Sequence, residues 1–267
     1  MKIRHSLFAV LALAATPAFA FDMPPPVEAP EYTGNIANVD GWYIRGDLGY
    51  NVSVDGNNPT YKTFDFTTGD TSASQPFDRS RFSNDFSLNA GGGYQFNDFL
   101  RSDLTLDYFR TAFKGDGKWM PCAPNGLECK HRGQDMTALG LLANGYVDLG
   151  TYWGFTPYVG AGAGMTYVKW GDVDYYYRGN LNGLDQDLLP FEGADSWRFT
   201  YALMAGTSYD LTDRVKMDFG YRFSQIGSGD MFQFNGFENA LGAYGAKAKD
   251  KGFTRHEFRT GLRLTTW

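Results

Sequence analysis

Between His256 and Thr266 the residues alternate in character. Phe258, Thr260, Leu262 and Leu264 fall on one parity; Glu257, Arg259, Gly261 and Arg263 fall on the other, and Trp267 follows. Successive side chains of a strand point to opposite faces, so this is a strand with one oily and one ionic face. A water-soluble fold turns its oily faces inward. A closed barrel in lipid turns them outward and keeps the ionic ones in its lumen. That inversion constrains everything else in the chain.

The alternation recurs in seven further windows. Gly41–Val54 sets Trp42, Ile44, Gly46, Leu48, Tyr50, Val52 and Val54 against Tyr43, Arg45, Asp47, Gly49, Asn51 and Ser53. Arg81–Phe96 sets Phe82, Phe86, Leu88, Ala90, Tyr94 and Phe96 against Arg81, Asp85, Asn89 and Gln95. Leu100–Phe113 sets Leu100, Leu104, Leu106 and Tyr108 against Arg101, Asp103 and Asp107. Thr137–Leu149 puts Asn144, Tyr146 and Asp148 on the polar parity, where Leu142 breaks the pattern. Pro157–Trp170 faces Val159, Ala161, Ala163, Met165 and Tyr167 away from Gly160, Gly162 and Gly164. Trp197–Asp210 opposes its aromatic set to Arg198, Ser208 and Asp210, and Arg214–Ser224 opposes Val215, Met217, Phe219, Tyr221 and Phe223 to Lys216, Asp218 and Arg222. These windows exceed the roughly 9–11 residues that a tilted strand needs to cross a bilayer, so the strands should project beyond it.

Connections alternate in length. Asn97-Asp98, Gly150–Thr156 and Asp210–Asp213 are short; Gly56–Ser80, Lys114–Asp135, Gly171–Ser196 and Gly227–Gly252 are long and rich in Gly, Asp, Asn and Ser. This spacing predicts an all-β chain: an eight-stranded antiparallel transmembrane β-barrel with four long extracellular loops and both termini periplasmic. A soluble lipocalin-like barrel is the rival, with its faces reversed around a cavity.

The start of the chain supports the membrane version. Lys2, Arg4 and His5 precede the apolar run Leu7–Ala15, and Ala18-Phe19-Ala20 is a small-x-small cleavage site, so cleavage is expected between Ala20 and Phe21. The run is shorter than the roughly 20 residues of a transmembrane helix. Residues 1–20 thus read as a signal peptide, 21–40 as a Pro-rich periplasmic linker and 41–267 as the barrel, placing the protein in the cell outer membrane. Without Lys2 and Arg4 the chain keeps 22 basic residues against 30 acidic ones, net −8, which argues against nucleic acid. Cys122 and Cys129 enclose Pro124 and Asn125-Gly126. In an oxidising compartment they are expected to form a local disulfide. Zinc would need more ligands than the nearby His131. No metal site and no cofactor is read from the sequence.

An eight-stranded barrel has a lumen that side chains can fill. The inward set should hold Asp47, Asp85, Asp103, Asp107, Asp148, Asp218 and Glu257 with Arg45, Arg101, Arg198, Lys216, Arg222, Arg259 and Arg263. Seven charges of each sign can pair, as buried charges must. Tyr43, Tyr146, Tyr158 and Trp170 would crowd the same space, so a plug is favoured over a pore. Gly160-Ala161-Gly162-Ala163-Gly164 leads into more strand rather than a helix, so it reads as inward glycines making room for neighbours, not as a nucleotide loop. Trp42, Phe96, Phe99, Trp153 and Phe155 at the short turns, and Tyr108, Tyr167, Trp170, Trp197 and Phe199 toward the long loops, would mark the two interfaces. Arg110 and Lys169 lie on the outward parity beyond Tyr108 and Tyr167. A charge is cheap there, level with lipopolysaccharide phosphates.

Enzymatic chemistry finds little support. A hydrolase would need Ser, His and an acid converging. After the signal only His131 and His256 remain, and His256 and Glu257 must face opposite ways. The segment 171–195 carries Asp172, Asp174, Asp185, Asp187, Glu192 and Asp195 against Arg178, without EF-hand spacing. Its Tyr175-Tyr176-Tyr177 suits either surface contact or loop packing.

Gly41-Trp42-Tyr43-Ile44-Arg45-Gly46-Asp47-Leu48-Gly49-Tyr50, Thr156–Gly162, Asp210–Arg214 leading into Gly220-Tyr221-Arg222, and His256–Arg263 together resemble the small outer-membrane β-barrel proteins of alphaproteobacteria, a surface-antigen and porin family with OmpA/OmpX-like architecture. The family pattern would end on an aromatic at Thr266; here the aromatic is Trp267. The resemblance implies a non-enzymatic envelope protein with structural and surface-contact roles, partnered by outer-membrane lipid and lipopolysaccharide, by the barrel-assembly machinery through the last strand, and by host or surface ligands through the loops. A small porin-like diffusion channel or a haem- or ligand-binding surface receptor is the alternative it implies.

Overall fold

The alternating windows become strands that close on themselves. The structure, a computed structural model, describes residues 40–55, 58–62, 64–65, 68–77, 79–116, 120–123, 127–131, 134–172, 175–178, 192–234 and 236–266. Eight strands form the wall: β1 Gly41–Asp55, β2 Phe86–Gln95, β3 Leu100–Asp116, β4 Gln134–Asp148, β5 Phe155–Trp170, β6 Asp195–Asp210, β7 Val215–Ile226 and β8 Phe253–Thr265. Each pairs antiparallel with the next, and β8 pairs with β1. β2, at 10 residues, matches a bilayer crossing, and the other seven, at 12 to 17 residues, outrun it.

Partner residues followed once around the wall run from Asp148 through Tyr158, Gly206, Gly220, Arg259, Gly49, Ser87 and Phe109 back to β4 at Ala138. The offset of ten residues between Asp148 and Ala138 is the stagger that closure imposes, and it implies strands tilted by about 35–45°. Closure satisfies the backbone of every wall strand from within the sheet, which lipid requires.

The outward parity is apolar: Ile44, Leu48, Leu88, Leu104, Leu106, Leu141, Val159, Leu203, Phe219, Leu262 and Leu264 are all exposed on the wall. Three particulars depart from the alternation. A register shift between Asn51 and Ser53 turns Val54 inward, where it is buried. The window Arg81–Phe96 is two strands, Arg79–Phe82 and β2, and Phe82 packs against the interior apolar cluster instead of facing out. Trp170 is fully buried, so it leaves the outer aromatic belt for the interior.

The long connections carry structure of their own. Leu127–His131 pairs with Met120–Ala123 on one side and Tyr175–Arg178 on the other. Gly229–Gln233, Ala246–Asp250, Thr60–Tyr61 and Gln75–Pro76 form a second small sheet, beside a short helix, α1 Gly236–Ala240. Phe64–Asp65 pairs with Asp70–Thr71. These pieces are two to five residues long, too short for alternation to announce them.

Candidate functional site

The lumen is filled in tiers. At the short-turn end the Arg101 guanidinium lies between the rings of Tyr146 and Tyr158, 4.1 and 4.7 Å from their centroids, and its Nε donates to Asp148 at 3.0 Å. Gly160 makes this stack possible, since a Cβ there would sit 2.6 Å from the Tyr146 ring. Next, Arg45 pairs with Asp47 at 2.8 Å and Asp103 at 3.1 Å, Arg259 with Asp47 at 2.7 Å, and Arg263 with Asp218 at 3.2 Å. Asn144 and the Tyr43 hydroxyl donate to Asp103.

Higher up, four side chains close a ring of alternating charge. Arg222 meets Asp107 at 2.7 Å and Glu257 at 2.5 Å; Arg255 meets the same two carboxylates at 2.8 and 2.7 Å. Ser87 donates to Glu257 and the Arg255 guanidinium covers Phe109. Above the ring lies an apolar stopper that includes Phe113, Met136, Trp170, Met231, Phe232 and Phe253.

Eleven of the fourteen expected lumen charges lie in these ionic tiers. Arg198 is buried elsewhere, at the long-loop mouth, where its Nη1 donates to both Asp250 carboxylate oxygens at 2.8 Å. Lys216 pairs with Asp210 at the short-turn rim, partly exposed. Asp85 lies in the break before β2 and joins no ion pair among the described residues; its carbonyl accepts the Asn51 N–H. Arg255 and Asp250 were missed. Arg255 continues the parity of Glu257 and Arg259, but the expected strand began one residue too late, at His256. Asp250 sits in a short loop strand with no periodic signal. The tiers hold six arginines (45, 101, 222, 255, 259, 263) and six carboxylates (47, 103, 107, 148, 218, 257), so the filling is neutral.

The loops build a cap. Lys247 is buried and donates to Glu238 of α1 at 2.7 Å, with its ammonium 5.3 Å from the Phe234 ring centroid. Burial draws the Lys247 pKa down to about 8, against the pull of Glu238. Burial also raises that of Asp250, despite Arg198.

On the outer face, Arg110, Thr137, Lys169 and Asp195 follow one another in register across β3, β4, β5 and β6. Arg110 pairs with Asp135 at 2.5 Å, fully in the open, and Tyr167 donates to Asp195. His256 Nδ1 meets the Tyr221 hydroxyl at 2.5 Å on the outer face, while Glu257 points into the lumen. The two are thus on opposite sides of β8 and do not converge on one site. Cys122 and Cys129 lie on paired strands, with Cys129 opposite Met120; their side chains, the signal peptide, the linker and Trp267 lie outside what the structure describes.

A closed wall of eight tilted strands, oily outside and ionic inside, is what the family comparison then meets. The outer membrane protein beta-barrel domain matches residues 6–249. The chain belongs to this family. An uncharacterised Brucella abortus protein is 38% identical over 245 residues, 84% of each chain. A Rickettsia conorii protein named as a candidate adhesin is 28% identical over 160 residues, 57% of this chain and 61% of its own. Among solved structures, OprG of Pseudomonas aeruginosa aligns with a TM-score of 0.47 at 18% identity, over 85% of this chain and 95% of that one. Like its family, this barrel resides in the outer membrane.

Proposed function

We propose that this barrel is a non-enzymatic envelope protein: a sealed anchor that holds a structured cap at the cell surface and binds the lipopolysaccharide leaflet around it. The observation that supports this reading is the lumen, which paired charges and an aromatic stopper occupy among the described residues. In this reading residues 1–20 are removed on export, the short turns face the periplasm, the last strand is what the assembly machinery grips, and Arg110 and Lys169 meet lipopolysaccharide phosphate. The Rickettsia relative's name supports surface contact by the loops. The diffusion channel gains no support from a filled lumen, and a haem receptor gains none from the described residues.

Two measurements test it. The purified protein in planar bilayers is expected to show no stable conductance; reproducible porin-like channels would replace the anchor with a pore. On intact cells, single cysteines in segments 171–196 and 227–252 are expected to label, and those at 97–98 or 210–213 are not. The reverse pattern would turn the barrel over and remove the surface role.

A further inference from the structure

Two shallow grooves on the lipid-facing wall differ in what stands above them. The first, of about 570 Å³, is lined by Leu104 of β3, Leu141 and Ala143 of β4, Ala163 and Met165 of β5, and Trp197 of β6. Its floor is low because Ala143 pairs with Ala163 in register. Toward the long loops, the outward rows across β3, β4 and β5 become Tyr108, Leu139 and Tyr167, and then Arg110, Thr137 and Lys169. From Ala143 to Thr137 is about 20 Å of strand, or roughly 15 Å of depth at a tilt of about 40°, which is one leaflet's share of the hydrocarbon core. The second groove, of about 540 Å³ at the seam of β1 and β8, is lined by residues that include Ile44, Gly46, Leu48 and Leu262. Above it stand Tyr50, Val52, Phe258 and His256, with no Lys or Arg on that parity among the described residues.

We propose that the first groove and the row above it bind one molecule of a phosphorylated, multiply acylated glycolipid, the lipid A part of lipopolysaccharide, with phosphate on the row and an acyl chain in the groove. This rests on the reading above that the long loops, and with them the row, face outward. Paired Cα atoms of adjacent strands stand about 4.5–5.5 Å apart, so a phosphate over Thr137 has a guanidinium on one side, an ammonium on the other and a hydroxyl between. Lys169 is exposed and makes no ion pair among the described residues. Arg110 gives one Nη to Asp135 and keeps further donors; an exposed pair of this kind contributes little and can yield to phosphate. The other carboxylate of the row, Asp195, accepts the Tyr167 hydroxyl. Two carboxylates so close make the row alone a weak seat, and the groove adds what charge lacks. Lipid tails are as apolar as the wall, so the groove acts by shape, packing a chain on its flanks as well as its floor.

Native mass spectrometry of the protein in detergent tests this with three probes: bisphosphorylated lipid A, lipid A stripped of phosphate, and phosphatidylglycerol. Ala163→Phe fills the groove. Gly46→Phe fills the seam groove instead, where an added Cβ meets nothing closer than 4.0 Å. Heat-dependent gel mobility checks that each barrel has folded. Wild type and Gly46→Phe should retain bisphosphorylated lipid A in preference to the other two probes. Ala163→Phe should retain it on the order of tenfold less, the loss of about ten atom contacts. Ala143→Leu fills the same groove and carries the same expectation where Ala163→Phe does not fold. Undiminished retention in the filled groove, equal loss in Gly46→Phe, or equal binding of phosphatidylglycerol or phosphate-free lipid A overturns the proposal. Retention lost in the double Gln variant of Arg110 and Lys169 but kept in Ala163→Phe removes the groove and leaves the phosphate contact of the anchor reading standing. Short turns labelled from outside the cell put the row in the inner leaflet and remove both.

Discussion

Glu257 holds the upper lumen together, because two guanidiniums and the Ser87 hydroxyl converge on it. Replacing it with Gln leaves Arg222 and Arg255 sharing one carboxylate, Asp107, with Asn89 as a neutral acceptor for Arg222. Breaking a buried pair costs about 3–5 kcal/mol, so urea unfolding of Glu257→Gln in lipid vesicles should shift by that order. A variant as stable as wild type would mean the ring contributes nothing net. Arg110 and Lys169 are the opposite case, exposed and near the outer interface, where a charge costs about 0–1 kcal/mol. The double Gln variant should fold normally and retain less lipopolysaccharide on purification; equal retention leaves both without that role. These residues were legible by parity alone. What parity could not give was the partner: nothing in the sequence says that Arg198 pairs with Asp250 at the long-loop mouth, since a loop strand of five residues has no period to read.

At the scale of elements, wall and cap were unequally readable. Long strands repeat their two-residue period often enough to fix face and register, and seven of the eight windows fall on single strands. The exception, Arg81–Phe96, kept its parity through a break at Ser83–Asp85 that no Gly or Pro marks. Val54 slipped because one irregularity after Asn51 exchanges the faces of everything beyond it. The cap is held by tertiary contacts between separate loops, so local sequence is silent about it. Its Lys247–Glu238 pair gives a test of that packing. Lys247 titrates near 8 in the folded cap but near 10.4 in an unfolded chain. Between those values the unfolded state binds more protons, so cap stability should rise with pH across that window and be lowest below it. Protease resistance of segment 229–250 should therefore increase from pH 7.5 to 9.5 in wild type and stay flat in Lys247→Met. A flat wild-type profile would show that Lys247 keeps its ordinary proton affinity.

On the scale of the whole molecule, the wall is one ring whose closing seam joins the first and last strands, from Tyr43 against Thr265 to Asp55 against Thr254. Removing residues 253–267 would leave β1 and β7 as bare edges in lipid, each with backbone groups that hydrocarbon cannot satisfy. The truncated chain is expected to lose heat-dependent gel mobility altogether, where a compact seven-stranded species would show the seam to be dispensable. The seam also sets a schedule. Its two halves lie about as far apart along the chain as any two strands here, and every ladder in between stays open-ended until they meet. Synthesis therefore delivers the keystone after every other wall strand, and the arch cannot carry its load until that course is laid.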